Sequence, residues 1–113
     1  MSKKDEKLAL YGEDIKKFDG GKLDGDFLAI VVKNLGPSIY NANAEKVSCS
    51  DQTELDRVRT NFIEKKLGVN DEALANKTMQ EVCEQVGQSN RNKYRATFYY
   101  LVAKKLGKES ALS

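Results

Sequence analysis

Leu8, Tyr11, Ile15 and Phe18 recur at steps of three and four, the repeat that lines one face of a helix, and predict a helix from about Lys4 to Phe18 closed by Gly20-Gly21. Asp24 and Asp26 then stand where they can cap a second helix through Phe27-Leu28-Ala29-Ile30-Val31-Val32, stopping at Leu35-Gly36-Pro37. A six-residue, β-branched apolar run also reads as a buried strand, and periodicity does not separate the two. Helix is preferred because no partner strand is evident elsewhere. From Pro37 to Ser50 no period is sustained and turn formers abound, which predicts an ordered loop with one helical turn at most.

Periodicity returns after Asp51. Its spacing to Glu54 is that of a capping box, and Leu55, Val58, Phe62 and Leu67 continue a third helix to Gly68. Asn70-Asp71-Glu72 opens a fourth, with Leu74, Thr78, Val82 and Val86 expected inward and Gly87 behind. Ser89 is expected to cap a fifth, which turns Tyr94, Phe98, Leu101, Val102 and Leu106 to the core before Gly107. The fold expected is all-α: a compact single-domain bundle of about four to six helices with one long ordered loop. Residues 1–113 form that one domain, with ends fraying over about 1–4 and 109–113.

Composition narrows the chemistry. Histidine is absent, which excludes Ser-His-Asp and Cys-His catalysis and histidine-bearing zinc sites. Cys49 and Cys83 are the only cysteines, form no Cys-x-x-Cys pair and follow no visible leader, so both are expected as reduced thiols in a cytoplasmic protein. No run of apolar residues approaches the roughly 20 that span a bilayer, so no membrane partner is expected. A net charge of +2 from 19 basic and 17 acidic residues gives no case for non-specific nucleic-acid binding. No cofactor is expected.

Candidate sites follow from what remains. Asp19-Gly20-Gly21-Lys22-Leu23-Asp24-Gly25-Asp26 has acids and glycines at high density, but calcium-loop positions fall on Gly21 and Leu23, and Leu23 stands where a phosphate loop wants Ser or Thr. It reads as a turn and helix cap. The acids Asp51, Glu54, Asp56, Asp71, Glu72, Glu81 and Glu84 lie at helix starts or on polar faces, which leaves no evident catalytic carboxylate pair. Cys83 reads as a small core residue, and Cys49 as the more exposed thiol.

The informative stretch is Gln88-Ser89-Asn90-Arg91-Asn92-Lys93-Tyr94-Arg95. Three cations and no acid open the fifth helix, where the peptide dipoles already concentrate positive charge. Either Arg91, Lys93 and Arg95 reach acids on neighbouring helices or water, or Ser89, Asn90, Arg91 and Arg95 hold an anion such as phosphate or carboxylate, with Tyr40 and Asn41 contributing from the long loop. Tyr94, Phe98, Tyr99 and Tyr100 also crowd one helix, and one helix does not turn all four inward. Tyr99 or Tyr100 is therefore the candidate for a self-association or partner surface.

Gly36-Pro37-Ser38-Ile39-Tyr40-Asn41-Ala42, Asn61-Phe62-Ile63-Glu64-Lys65-Lys66-Leu67-Gly68, Ser89-Asn90-Arg91-Asn92-Lys93-Tyr94-Arg95 and the ending Gly107-Lys108-Glu109-Ser110 together resemble DUF2853, a family of short bacterial proteins of unknown function. The resemblance runs from about Lys7 to Ser110. It implies a mainly helical protein with no assigned activity, cofactor or partner, and it supplies no catalytic residue. The expected function is thus a non-enzymatic binding or interaction module for a small anion or acidic protein partner. A homo- or hetero-oligomeric interaction domain and a histidine-free carboxylate enzyme are the alternatives.

Overall fold

The computed structural model describes residues 2–87 and 93–112. Among these residues five α-helices run in chain order: α1 (Lys3–Phe18), α2 (Gly25–Leu35), α3 (Gln52–Val58), α4 (Glu72–Val86) and α5 (Arg95–Leu106). Short 3-10 turns cover Gly36–Tyr40 and Glu109–Ala111. The run from Phe27 to Val32 is therefore helical, and Asp24 is the cap, its carboxylate accepting from the Phe27 amide at 3.0 Å. Where fraying is expected, α1 starts at Lys3 under a Ser2 cap, and Leu112 is buried at the other end.

The third helix changes its pitch. Arg59–Glu64 forms a π turn, closed by the Lys65 amide on the Thr60 carbonyl and followed by the Leu67 amide on the Phe62 carbonyl, steps of five instead of four. The spacing of Leu55, Val58, Phe62 and Leu67 explains it: steps of three and four suit an α-helix, but the last step of five carries a side chain off the stripe unless the turn widens. All four are buried, so packing has selected the widened turn.

Helix α5 forms the centre, packing against α1, α2 and α4. Ala96, Thr97, Phe98, Tyr100, Leu101, Val102 and Ala103 are all buried, covering every side of its axis. This corrects the expected interface at Tyr100, which is 1 % exposed, its ring against Phe27 and its hydroxyl oxygen accepting from the Asp24 amide at 2.8 Å. The start of α5 is corrected too. The helix begins at Arg95, with Tyr94 extended in the capping position and no side-chain cap, because the backbone of residues 93–95 is bonded to the loop. Lys46 bridges Tyr94, the Val47 amide bonds the Lys93 carbonyl at 2.8 Å, and the Arg95 amide bonds the Glu45 carbonyl. Ser89, expected to cap this helix, lies outside the described residues.

In α4 the buried stripe is Ala75, Thr78, Met79, Val82, Cys83 and Val86, and Leu74 is 43 % exposed instead of inward. At 100° per residue Leu74 lies roughly 40° beyond Thr78, past the edge of that stripe. The largest correction concerns sulfur. Cys49 and Cys83 are joined as a disulfide with Cα atoms 6.0 Å apart, tying the long loop to α4, so neither is a free thiol. Two glycines show close geometric demands. Gly107 ends α5 in the left-handed region, and a Cβ on buried Gly12 would sit 3.0 Å from Leu23, so glycine lets α1 approach that turn.

Candidate functional site

The cleft assembled from α2, the π turn and α5 combines apolar walls with converging polar groups. The last turn of α2 and the 3-10 turn after it supply Asn34, Leu35 and Ser38, and the loop adds Ala44. The π turn presents Asn61 and Phe62, with Lys66 one turn on, and α5 contributes Arg95 and Tyr99. Together they enclose about 380 Å³, within the range of small-molecule pockets. Phe62 and Tyr99 stack with centroids 4.0 Å apart and planes 17° from parallel, giving the cleft a rigid aromatic wall. The Ser38 hydroxyl donates to the Leu35 carbonyl at 2.9 Å, and the Asn34 amide to the Ile30 carbonyl at 2.8 Å, which orients both side chains. Among the described residues no carboxylate lines it.

Arg95 is the most connected group of this wall. Its Nε donates to the Ala44 carbonyl at 2.8 Å, one terminal nitrogen donates to the Tyr99 hydroxyl at 3.3 Å, and the other reaches the Lys46 carbonyl at 3.4 Å and the Glu54 carboxylate. Burial alone would lower its proton affinity, but Tyr99 and Glu54 more than offset that, and the net direction is upward. The guanidinium is thus permanently charged and neutralised from within the protein. The Asp51-Glu54 pair resolves accordingly. Asp51 caps α3, accepting from the Thr53 and Glu54 amides, while the Glu54 side chain serves Arg95.

The residues expected to bind an anion are spread apart. Arg95 lines the cleft; Tyr40 is 50 % exposed and does not line it; Asn41 uses its side-chain oxygen to accept from the Asn43 and Ala44 amides within the loop. Ser89, Asn90 and Arg91 lie outside the described residues. Of the tyrosines expected at a partner surface, Tyr99 is partly exposed in the cleft wall.

Two buried acids escaped the sequence reading. Glu45 sits in the aperiodic loop and accepts from Lys7 at 2.7 Å and from the Tyr11 hydroxyl, while Tyr94 packs its ring 5.3 Å from that of Tyr11. Burial first, then the Glu45 carboxylate, push the Tyr11 phenol far above its ordinary range. Nothing in the loop's local pattern signals this. Asp14 was legible: three residues after Tyr11 and one before Ile15 it falls inside the buried stripe of α1, where its carboxylate accepts from Thr97 at 2.7 Å. Both acids act as polar struts between α1 and its neighbours.

A second cavity of about 570 Å³ lies over the start of α2, lined by Asp19, Lys22, Asp24, Asp26, Tyr100 and Lys104 among others. Asp24, Tyr100 and Lys104 are already engaged there. Asp24 caps α2 and pairs with Lys104 at 3.5 Å, and that ammonium lies 5.5 Å from the Phe27 and Tyr100 ring centroids. Among the described residues no cluster of acids and cysteines is placed to hold a metal ion, and no helix is long and apolar enough to cross a membrane.

Comparison with curated proteins gives no match. Over residues 10–110 the sequence matches the family described as a protein of unknown function, DUF2853, a span that includes every residue of the cleft. The chain with this α5-centred helical fold therefore belongs to the DUF2853 family.

Proposed function

We propose that this protein is a small non-enzymatic binding module whose ligand enters the cleft between α2, the π turn and α5. The observation that carries the reading is the meeting of Leu35, Ala44 and the Phe62–Tyr99 stack with Asn34, Ser38, Asn61 and Lys66 around one cavity. Ligand pockets have this composition, a mostly apolar lining with a few placed polar groups. The π turn adds support, because such widened turns recur at functional sites.

The sequence-derived anion set divides under this proposal. Arg95 belongs to the cleft wall as a scaffold, Tyr40 and Asn41 shape the loop beside it, and Ser89, Asn90 and Arg91 keep their anion role on sequence grounds. Amide-resolved NMR with a set of small acids, amides and alcohols tests both. Binding to the cleft perturbs Asn61, Lys66 and Tyr99, and Ala44→Leu, which fills the cavity, removes the effect without lowering the melting temperature. Perturbation confined to Ser89, Asn90 and Arg91 would move the site to that segment, and the Arg91→Ala variant would then abolish it.

A further inference from the structure

Resting on the cleft as the binding site, we infer that its ligand is a small organic monocarboxylate: an apolar body against Leu35 and the Phe62–Tyr99 wall, and one negative charge at the Lys66 side. Charge decides the class. Among the described residues two cations line the cleft and no acid does, so an anionic group is favoured over a cationic one. Arg95, however, is matched by Glu54 and also donates to two carbonyls and the Tyr99 hydroxyl, which leaves Lys66 as the lining cation that makes no ion pair among the described residues. The uncompensated charge of the wall is therefore a single unit. A phosphate dianion carries a second charge that the single Lys66 ammonium does not match and offers no apolar body to Leu35, Ala44, Phe62 and Tyr99.

Size and polar placement agree. At roughly 30 Å³ per water molecule in the liquid, a cavity of about 380 Å³ corresponds to about a dozen waters, suited to a ligand of similar heavy-atom count. Asn61 and Lys66, five residues apart in sequence, both line the cleft, and under this assignment they supply the amide and the ammonium for the carboxylate. The carboxylate is the polar end and the remainder of the molecule covers apolar surface, so neither a bare inorganic anion nor a neutral hydrocarbon uses the whole site.

Titration of the full chain with phenylacetate, phenylacetamide and inorganic phosphate, followed through the Asn61, Lys66 and Tyr99 amides, tests this. Phenylacetate is expected to saturate, with phenylacetamide about ten-fold weaker and phosphate weaker still, and Lys66→Gln is expected to weaken phenylacetate about ten-fold while changing phenylacetamide less than about two-fold. Lys66 is exposed, so this variant keeps the fold intact. Equal binding of phenylacetate and phenylacetamide would overturn the charge assignment and leave the cleft standing, whereas phosphate binding as tightly as phenylacetate would overturn the apolar body. No saturable shift from any probe at about 10 mM would overturn the cleft itself.

Discussion

Arg95 and Glu54, 41 positions apart in sequence, join the first turn of α5 to the first turn of α3 through an ion pair whose side chains are 17 % and 16 % exposed. The same guanidinium holds the carbonyls of Ala44 and Lys46, so one side chain fixes two helix starts and the loop that leads into α3. Removing the charge of Glu54 leaves Arg95 largely buried with only neutral acceptors, the two carbonyls and the Tyr99 hydroxyl. Glu54→Gln is therefore expected to destabilise the protein by about 1–3 kcal/mol in urea unfolding. A double-mutant cycle with Arg95→Met is expected to return a coupling above about 1 kcal/mol, and a value near zero would mean that the pair behaves as a surface contact.

Tyr11 predicts how stability responds to alkali. Its phenol is shifted upward in the folded protein by burial and by Glu45, so the folded state retains its proton where the unfolded chain, titrating near 10, gives it up. The stabilisation is complete below about pH 10 and declines above it, by up to about 1.4 kcal/mol per pH unit from this group. Lys93 acts in the opposite sense, since burial lowers its value and favours the folded state as it deprotonates. Comparing wild type with Tyr11→Phe isolates the phenol: the alkaline decline is expected to be shallower in the variant, and parallel curves would refute the assignment.

Legibility in the sequence followed the period of the packing. The boundaries of α1 and α2, the Asp51 and Asp71 caps and the fourth helix were readable because each is a local pattern of capping oxygen and one-sided apolar face. The start of α5 was not, because residues 93–95 are fixed by a bridge to Lys46 and Val47, more than forty positions away. Arg95 was legible as a residue of interest, yet its partner Glu54 looked like half of a local capping box, and only tertiary structure shows the carboxylate turned elsewhere. The cleft was invisible for the same reason. Its walls come from α2, the loop, the π turn and α5, and the single local hint was the five-residue step from Phe62 to Leu67.

Asp24 combines a cap with an ion pair, and the two are separable. The Phe27 amide and then Lys104 hold its carboxyl below the usual range, so its contribution is present above about pH 3.9 and is lost as pH falls through the folded value. Asp24→Ala removes the acceptor and is expected to cost about 0.5–2 kcal/mol at neutral pH. Asp24→Asn retains an acceptor and is expected to lose a few tenths of a kcal/mol, because the Lys104 pair is partly solvent-exposed and screened. In acid the wild type converges on the Asn variant. Thermal unfolding of the three proteins at neutral and acid pH checks the order, and an Asn variant as weak as the Ala variant would show that the Lys104 pair carries the effect.

The disulfide constrains the chain on a larger scale. Cys49 and Cys83 are 34 positions apart, and closing a loop of that length reduces the entropy of the unfolded state by an amount equivalent to about 3–4 kcal/mol. The bond ties the segment that leads into α3 to the buried face of α4, with Cys83 only 1 % exposed. Thiol titration of the unfolded, unreduced protein is expected to find no free thiol, and two after treatment with a dithiol reductant. The reduced protein is expected to unfold at lower urea concentration by the equivalent of that entropy term, with Cys49→Ser matching it. The apolar stripe of α4 survives that substitution, so the helical signal of the variant should remain native-like at low urea. Two titratable thiols in the untreated protein, with no change in stability on adding reductant, would show that Val82, Val86 and their neighbours hold this face without the covalent link.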